Sequence, residues 1–237
     1  MSETQPHADI DLDPVTFEVL RSSFRNLVDR MAEQIERTCY SFVIYNRDFS
    51  NCLNDAQGNT VMQGSKDIAV HVGTLHYTCK ETLDYFEGDI NPGDVYMVND
   101  PYLGGTHIND VRIMRPVFDD GELIAVTQSN GHWADVGGPA PGSFNIDAND
   151  HFAEGLRIPP VKIWDGGDFR EDVANLLTTN MRLSEDRMGD LRAQAEATQI
   201  AADRLLELVD KYGVDTVMTA FDESQDYVER IMREQIR

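Results

Sequence analysis

The sequence has few lysines, few cysteines and no long hydrophobic run, and each shortage excludes a class of protein. Four lysines stand among 20 basic residues, against 42 acidic residues, and the formal net charge is -22. Nucleic acids and anionic membrane surfaces require a basic footprint on their partners, so the charge excludes both. A highly acidic composition with little lysine is typical of proteins adapted to high salt, where counterions screen the repulsion between carboxylates. An ordinary acidic cytosolic protein is the alternative.

The cysteines and the hydropathy pattern predict a cytoplasmic protein without a membrane partner. Cys39, Cys52 and Cys79 are odd in number, far apart and not preceded by a secretory leader, which is typical of reduced thiols. No apolar run approaches the roughly 20 residues that span a bilayer. A chain of 237 residues is long enough to bury a sizeable core without disulfides.

Hydrophobic periodicity predicts three parts in the chain. Residues 1–12 are polar and acidic and are expected to form a loose arm. Residues 13–183 mix helical and strand patterns and are expected to form an α+β domain that carries the candidate metal ligands. Residues 184–237 show helical patterns and are expected to serve association. The expected fold class is therefore α+β, with a mixed sheet, packed helices, a long functional loop and a C-terminal helical pair.

Local signals place the elements of the α+β domain. Asp13-Pro14 predicts the start of a helix of about six turns, because the carboxylate can cap it and proline suits its first position. A second helix is predicted over 70–86. Strands are predicted over 41–45, 60–62, 94–98, 111–118 and 123–128. The segment 130–170 is rich in glycine and proline, which predicts an ordered functional loop.

Apolar residues at steps of three and four predict the C-terminal helical pair. A heptad-like seam runs from Met188 to Val209, and Gly213 is the expected helix stop. A second apolar stripe runs from Val214 to Met232. Two antiparallel helices hide only part of such stripes from water, so we expect obligate association through them. The alternative is that both stripes fold back onto the N-terminal domain.

Two His-x-x-Asp units beside glycine pairs are the main candidates for chemistry. His107 and Asp110 form the first unit, and His132 and Asp135 form the second. A predicted hairpin lies between the units and returns His132 to the neighbourhood of the first. Two histidines and a carboxylate suit Mn²⁺, Fe²⁺ or Zn²⁺. The spacing is therefore compatible with a metal site formed by His107, Asp110 and His132, although His-x-x-Asp is a weak pattern by itself.

The same residue types also allow structural roles. The histidines could satisfy backbone groups, and the aspartates could cap turns. Asp135 could act in catalysis, by orienting His132 or as a general base, or it could cap the glycine turn that follows it. His71 and His76 lie five residues apart in a predicted helix and do not share a face, so at most one of them points at a site.

Four motifs in order carry a resemblance to a known family. They are NDPYLGGTHIND at 99–110, PVF at 116–118, GHWADVGGPAPGS at 131–143 and EGLRIPP at 154–160. Together they resemble the hydantoinase B/oxoprolinase family, which includes B subunits of ATP-dependent hydantoin and lactam hydrolases, half of 5-oxoprolinase, and the alpha subunit of acetone carboxylase. Further similarity at 67–73, 180–182 and 189–194 extends it over nearly the whole chain. Family members are usually more than twice as long, so the chain resembles their N-terminal half. Three interpretations stay open: a complete subunit, a split gene product or a fragment.

The resemblance implies a chemistry and a partner. In carboxylase relatives two histidines and an aspartate at this spacing hold a metal, which implies the same role for His107, Asp110 and His132. A companion A-type subunit is implied to bind ATP in a hetero-oligomer, since the chain itself lacks a P-loop. The implied function is the opening of a small cyclic amide or imide, such as a hydantoin or 5-oxoproline. The alternatives are ATP-dependent carboxylation of a small ketone and a non-catalytic assembly role.

Overall fold

The computed structural model describes residues 12–236, which form one antiparallel sheet with helices packed on both faces. The helices are α1 (Pro14–Thr38), α2 (Phe42–Tyr45), α3 (Ala69–Val72), α4 (Leu75–Tyr85), α5 (Glu171–Thr179), α6 (Ser184–Tyr212) and α7 (Val214–Ile236). The strands are β1 (Phe49–Asp55), β2 (Thr60–Gln63), β3 (Val95–Val98), β4 (Asp110–Asp119), β5 (Glu122–His132), β6 (Val161–Asp165) and β7 (Asp168–Phe169). The expected acidic arm lies almost wholly outside the described residues.

The sheet has the strand order β2-β1-β5-β4-β3-β6-β7. Every described strand pair is antiparallel, where a mixed sheet was expected, and the α+β class is confirmed. At its centre, β4 and β5 form a long hairpin across Asp119 and Glu122. This hairpin places the start of β4 beside the end of β5, which is the end of the sheet that carries the candidate ligands.

Helices cover the two faces of the sheet unequally. α1 and α6 pack on one face, and their apolar residues join those of the sheet in the larger core. α4 covers the other face, where Cys79 packs with Tyr96 and Met114 in a smaller cluster. The faces alternate along each strand because successive side chains point to opposite sides. None of the helices within residues 12–236 is long and apolar enough to cross a membrane.

The C-terminal helices belong largely to this core. The seam of α6 is buried at Leu191, Leu205 and Val209 and packs on α1 and the sheet. The first half of α7 is buried as well, with Phe221 against Phe24 of α1 at 5.0 Å between ring centroids. The α6 seam therefore follows the alternative expectation and folds back onto the N-terminal part of the chain. The second half of α7 stays exposed.

Several predicted elements are confirmed and others differ. Asp13 caps α1 as expected by accepting hydrogen bonds from the backbone of Val15 and Thr16. The prediction of a strand over 41–45 is wrong. The segment forms a helical turn because Asp190 of α6 accepts hydrogen bonds from the backbone of residues 40 and 41 and from the Ser41 hydroxyl. The predicted helix 70–86 is broken into α3 and α4 at residues 73 and 74.

Candidate metal centre

The hairpin of β4 and β5 brings the two His-x-x-Asp units together. Asp110 begins β4, His132 ends β5, and the two residues are direct cross-strand partners. His107 lies in the turn before β4, where its carbonyl accepts a hydrogen bond from the backbone of Asp110 at 3.1 Å. Positions three apart would diverge in a strand, but this turn directs both side chains to one point.

The three predicted ligands are close enough to share one ion. Nε2 of His107 lies 3.4 Å from Oδ2 of Asp110, and Nδ1 of His132 lies 3.9 Å from Oδ1 of Asp110. The two histidine rings are 4.9 Å apart between centroids. Asp110 is 1% exposed, whereas the side chain of His107 is 47% exposed. The cluster therefore has a buried carboxylate at its base and an open side at His107.

Asp48 and His71 also belong to the cluster. Oδ2 of Asp48 lies 3.3 Å from Nδ1 of His132, and Nε2 of His71 lies 3.2 Å from Oδ2 of Asp110. Asp48, His71 and Asp110 form a second group whose ligand atoms all lie within 4.8 Å of one another. The expectation that at most one of His71 and His76 faces the site is confirmed. Asp48 was missed, because the polar strand β1 that follows it was not predicted.

Electrostatics keep two of the candidate ligands in forms that can bind a metal. Burial acts to raise the pKa of Asp110, but the hydrogen bonds from His71 and Thr106 and the nearby His107 outweigh it and lower the pKa to about 2. Burial lowers the pKa of His132, and the neighbouring His107 and His71 lower it further. Asp48 and Asp110 act to raise this pKa, but the net shift is downward. Metals bind deprotonated carboxylates and neutral imidazoles, so both groups hold these forms at neutral pH.

Two buried atoms of the cluster have no hydrogen-bond partner in the described chain. They are Oδ1 of Asp110 and Nδ1 of His132. Buried polar atoms are nearly always satisfied, and an ion between these atoms would satisfy both. Ligands about 2.1 Å from a tetrahedral metal lie about 3.4 Å from one another. This is comparable with the 3.3 Å from Nδ1 of His132 to Oδ2 of Asp48 and the 3.9 Å from the same nitrogen to Oδ1 of Asp110. The residues therefore fit a divalent metal.

Asp135 is placed differently from the three ligands. It is 4% exposed, and its carboxylate accepts hydrogen bonds from the backbone of Gly137, Gly142 and Arg182. The guanidinium of Arg182 adds an ion pair at 3.0 Å. The turn-capping role is confirmed by these contacts. A catalytic role for Asp135 stays a prediction.

The sequence profile of the hydantoinase B/oxoprolinase family matches residues 13–237. The chain belongs to this family. It is 42% identical to the beta subunit of the caprolactamase of Pseudomonas jessenii, and the match covers 95% of this chain and 39% of that subunit. It is 35% identical to the B-type chain of a putative D-/L-hydantoinase of Pseudomonas sp. over 98% of its length and 40% of that protein. The chain thus spans about two fifths of these family members.

Two solved structures share the fold described above. The crystal structure of the ATP-dependent caprolactamase of Pseudomonas jessenii matches 96% of this chain with a TM-score of 0.90 at 40% identity, and 39% of the solved chain is covered. The nucleotide-free structure of acetone carboxylase matches 90% of this chain with a TM-score of 0.84 at 22% identity, and 28% of that chain is covered. At that identity the second likeness supports the fold alone.

Proposed function

We propose that the chain belongs to a B-type subunit of an ATP-dependent hydrolase that opens cyclic amides or imides with the help of a divalent metal. The observation that carries the proposal is the convergence of His107, Asp110 and His132, with an unpartnered oxygen of Asp110 buried between them. The 42% identity to one chain of a caprolactamase supports cyclic amides as the substrate class. An A-type partner subunit would bind ATP.

The proposed metal ligands are His107, Asp110, His132 and Asp48. Asp48 is included because its Oδ2 lies 3.3 Å from Nδ1 of His132, which is close enough for both atoms to bind one ion. A bound divalent metal supplies Lewis-acid chemistry and lowers the pKa of water at the site. The exposed side of the cluster at His107 is where a small cyclic amide would enter.

Cyclic-amide hydrolysis is favoured over the two alternative functions. Ketone carboxylation finds support only in a fold likeness at 22% identity, whereas the caprolactamase and hydantoinase chains are 35% to 42% identical. A purely assembling subunit would have no use for buried ligand atoms without partners. The cluster therefore favours an enzyme.

Co-purification with an A-type partner subunit provides the test. ATP hydrolysis and ring opening would be measured with a lactam, a hydantoin and 5-oxoproline, and with acetone plus bicarbonate as the comparison. We expect at least one cyclic amide to stimulate ATP turnover, and the stimulation to be lost in Asp110→Asn. Turnover with acetone alone would contradict the hydrolase proposal. Full cyclic-amide turnover by Asp110→Asn would contradict the role of the cluster.

A further inference from the structure

His71 is a buried member of the candidate metal cluster, and both of its ring nitrogens contact protein atoms. It is 2% exposed, and its Nε2 faces Oδ2 of Asp110 at 3.2 Å. Its Nδ1 lies 2.8 Å from the hydroxyl of Ser50 and 3.4 Å from the side-chain nitrogen of Asn130. Ser50 and Asn130 are cross-strand partners in β1 and β5. The sheet thus holds the Nδ1 side of the ring, and Asp110 contacts the Nε2 side.

Arg112 fixes the orientation of the Asn130 amide. Arg112 is 1% exposed, and its Nε donates a hydrogen bond to Oδ1 of Asn130 at 3.2 Å. The rest of the guanidinium is held by Thr74, by Thr78 and by the carbonyl of Gly104. Burial lowers the pKa of Arg112 to about 10, so it remains protonated at neutral pH. A guanidinium only donates hydrogen bonds; the amide oxygen must therefore face Arg112 and the amide N–H groups must face His71.

The fixed amide determines the tautomer of His71. Because Asn130 presents an N–H group to Nδ1, this ring nitrogen must be an acceptor, and the Ser50 hydroxyl can donate to it as well. The ring hydrogen is then on Nε2 and is donated to Oδ2 of Asp110. Thr106 donates to the same oxygen, which leaves Oδ1 of Asp110 as the free ligand atom.

We propose that His71 is a positioning residue that donates its Nε2 hydrogen to Asp110 and does not bind the metal. Arg112, acting through Asn130, sets the tautomer that makes this possible. The inference rests on the proposed metal centre. It keeps the proposed ligands Asp48, His107, Asp110 and His132 and removes His71 from the two overlapping groups of possible ligands. Hydrogen-bond donors behind a metal ligand orient that ligand in many proteins.

Nitrogen NMR of the metal-free protein tests the tautomer directly. The protein would be labelled with ¹⁵N in its histidines, and the His71 signals would be assigned by their loss in His71→Gln. We expect a neutral ring with the hydrogen on Nε2 at neutral pH. A hydrogen on Nδ1, with or without one on Nε2, would overturn the proposal. This measurement needs no metal and no activity, so it is independent of the proposed function.

Zn²⁺ titration of two matched variants tests the positioning role. His71→Gln keeps an N–H donor near Asp110, whereas His71→Glu supplies a carboxylate that could act as a ligand. We expect the Gln variant to bind Zn²⁺ within a few-fold of the natural protein and the Glu variant to bind it about 10- to 100-fold more weakly. The same two substitutions at His76, which lies outside the cluster, serve as controls.

The outcomes of the titration separate the two proposals. Tighter binding by the Glu variant than by the Gln variant would identify His71 as a ligand and overturn the inference. Equal affinities would show that the N–H donor does not position Asp110, and would overturn it as well. Failure of the natural protein to bind Zn²⁺, Mn²⁺ or Fe²⁺ would contradict the metal centre, while the nitrogen shifts would still report the tautomer. If neither variant folds, the His71 signals are assigned by elimination, from single variants of the other five histidines, and the nitrogen shifts of the natural protein decide.

Discussion

Arg182 and Asp135 connect the loop after β5 to the segment before α6. Nη1 of Arg182 lies 3.0 Å from Oδ2 of Asp135, and Nη2 of Arg182 donates to the carbonyl of Gly138 at 2.9 Å. The backbone of Gly137 and Gly142 donates to the same carboxylate. The pair therefore closes the glycine-rich turn that directly follows the candidate metal centre.

We expect Asp135→Asn to lower the free energy of unfolding by about 1.5–3 kcal/mol, because an amide replaces an ionised acceptor of several hydrogen bonds. Burial acts to raise the pKa of Asp135, but its hydrogen bonds from Gly137, Arg182 and Gly142 prevail and lower it from 3.8. The stabilisation is therefore present above pH 3.8 and is lost as the pH falls through the lowered pKa. Urea unfolding at neutral pH and at successively lower pH measures this.

The control for this prediction is Asp147→Asn in the same loop, where the side chain is exposed. We expect that variant to unfold within about 0.5 kcal/mol of the natural protein. A difference between Asp135→Asn and the natural protein that stays constant from neutral pH to well below 3.8 would contradict the electrostatic explanation.

The sequence was sufficient to predict the centre of the site but not its surroundings. The β4–β5 hairpin has a clear apolar pattern, so the pairing of Asp110 with His132 was predictable. The position of Asp48 was not predictable, because β1, which follows it, is a polar strand. Its residues Asn51 and Asn54 are buried although their side chains are polar. Burial of these amides depends on neighbours far along the chain, such as Gln128 for Asn54. Local pattern cannot show such partners.

The elements that cover the apolar seam of α6 could not be predicted, for a related reason. A seam of apolar residues shows that a helix face is covered, but not by what. The seam of α6 is covered by α1 and the sheet. On the same helix, the buried side chain of Gln194 accepts a hydrogen bond from the indole of Trp133 at 2.7 Å. Its amide also donates to the carbonyl of Val111 at 3.0 Å. These contacts are set by tertiary packing alone.

His107→Ala should remove most of the bound metal. The side chain is 47% exposed, so its loss leaves the core intact while it removes one ligand. We expect the metal content of the purified protein, measured by mass spectrometry for Mn, Fe and Zn, to fall well below one ion per chain. His76→Ala provides a matched control outside the cluster. Full metal content in the His107 variant would contradict the ligand assignment.

The isolated chain should have no ATPase activity. Its glycine pair at 104 and 105 serves close packing: a Cβ on Gly104 would lie 2.6 Å from Tyr77 of α4, and one on Gly105 would lie 2.8 Å from the carbonyl of Asp100. These glycines are thus occupied by protein contacts, and the chain lacks the P-loop pattern with its lysine. Steady-state phosphate release measures the activity. Sustained release by the chain without a partner would contradict the proposed division of labour.

The thermal midpoint should rise with salt. Exposed carboxylates recur along α7 at Asp215, Glu223, Asp226 and Glu234, and the whole chain carries a charge of -22. The Debye length falls from about 10 Å at 0.1 M to about 3 Å at 1 M, so repulsion between such groups is largely screened at the higher concentration. Thermal melts in NaCl at both concentrations test this, since sulfate would also strengthen apolar burial. An unchanged midpoint would leave the acidity without a halophilic explanation.

The isolated chain should self-associate through the second half of α7. Val228, Ile231, Met232 and Ile236 are exposed at helical spacing on one stretch of this helix. An apolar patch of about 200 Å² would favour association by about 5 kcal/mol before entropic costs. Light scattering in high salt should therefore report a species larger than a monomer, and Val228→Glu combined with Met232→Glu should restore the monomer.

The equivalent change on α2, Phe42→Glu combined with Tyr45→Glu, separates a specific contact from a general increase in charge. Both side chains are exposed, and α2 follows the C-terminal end of α1, whereas Tyr227 of α7 lies against Phe17 near its N-terminal end. This control should therefore leave the association unchanged. If both double variants become monomeric, added charge and not the α7 stripe explains the effect. A natural chain that is a clean monomer and binds no hydrophobic dye would refute association through α7, because so exposed a stripe would then be stable in water.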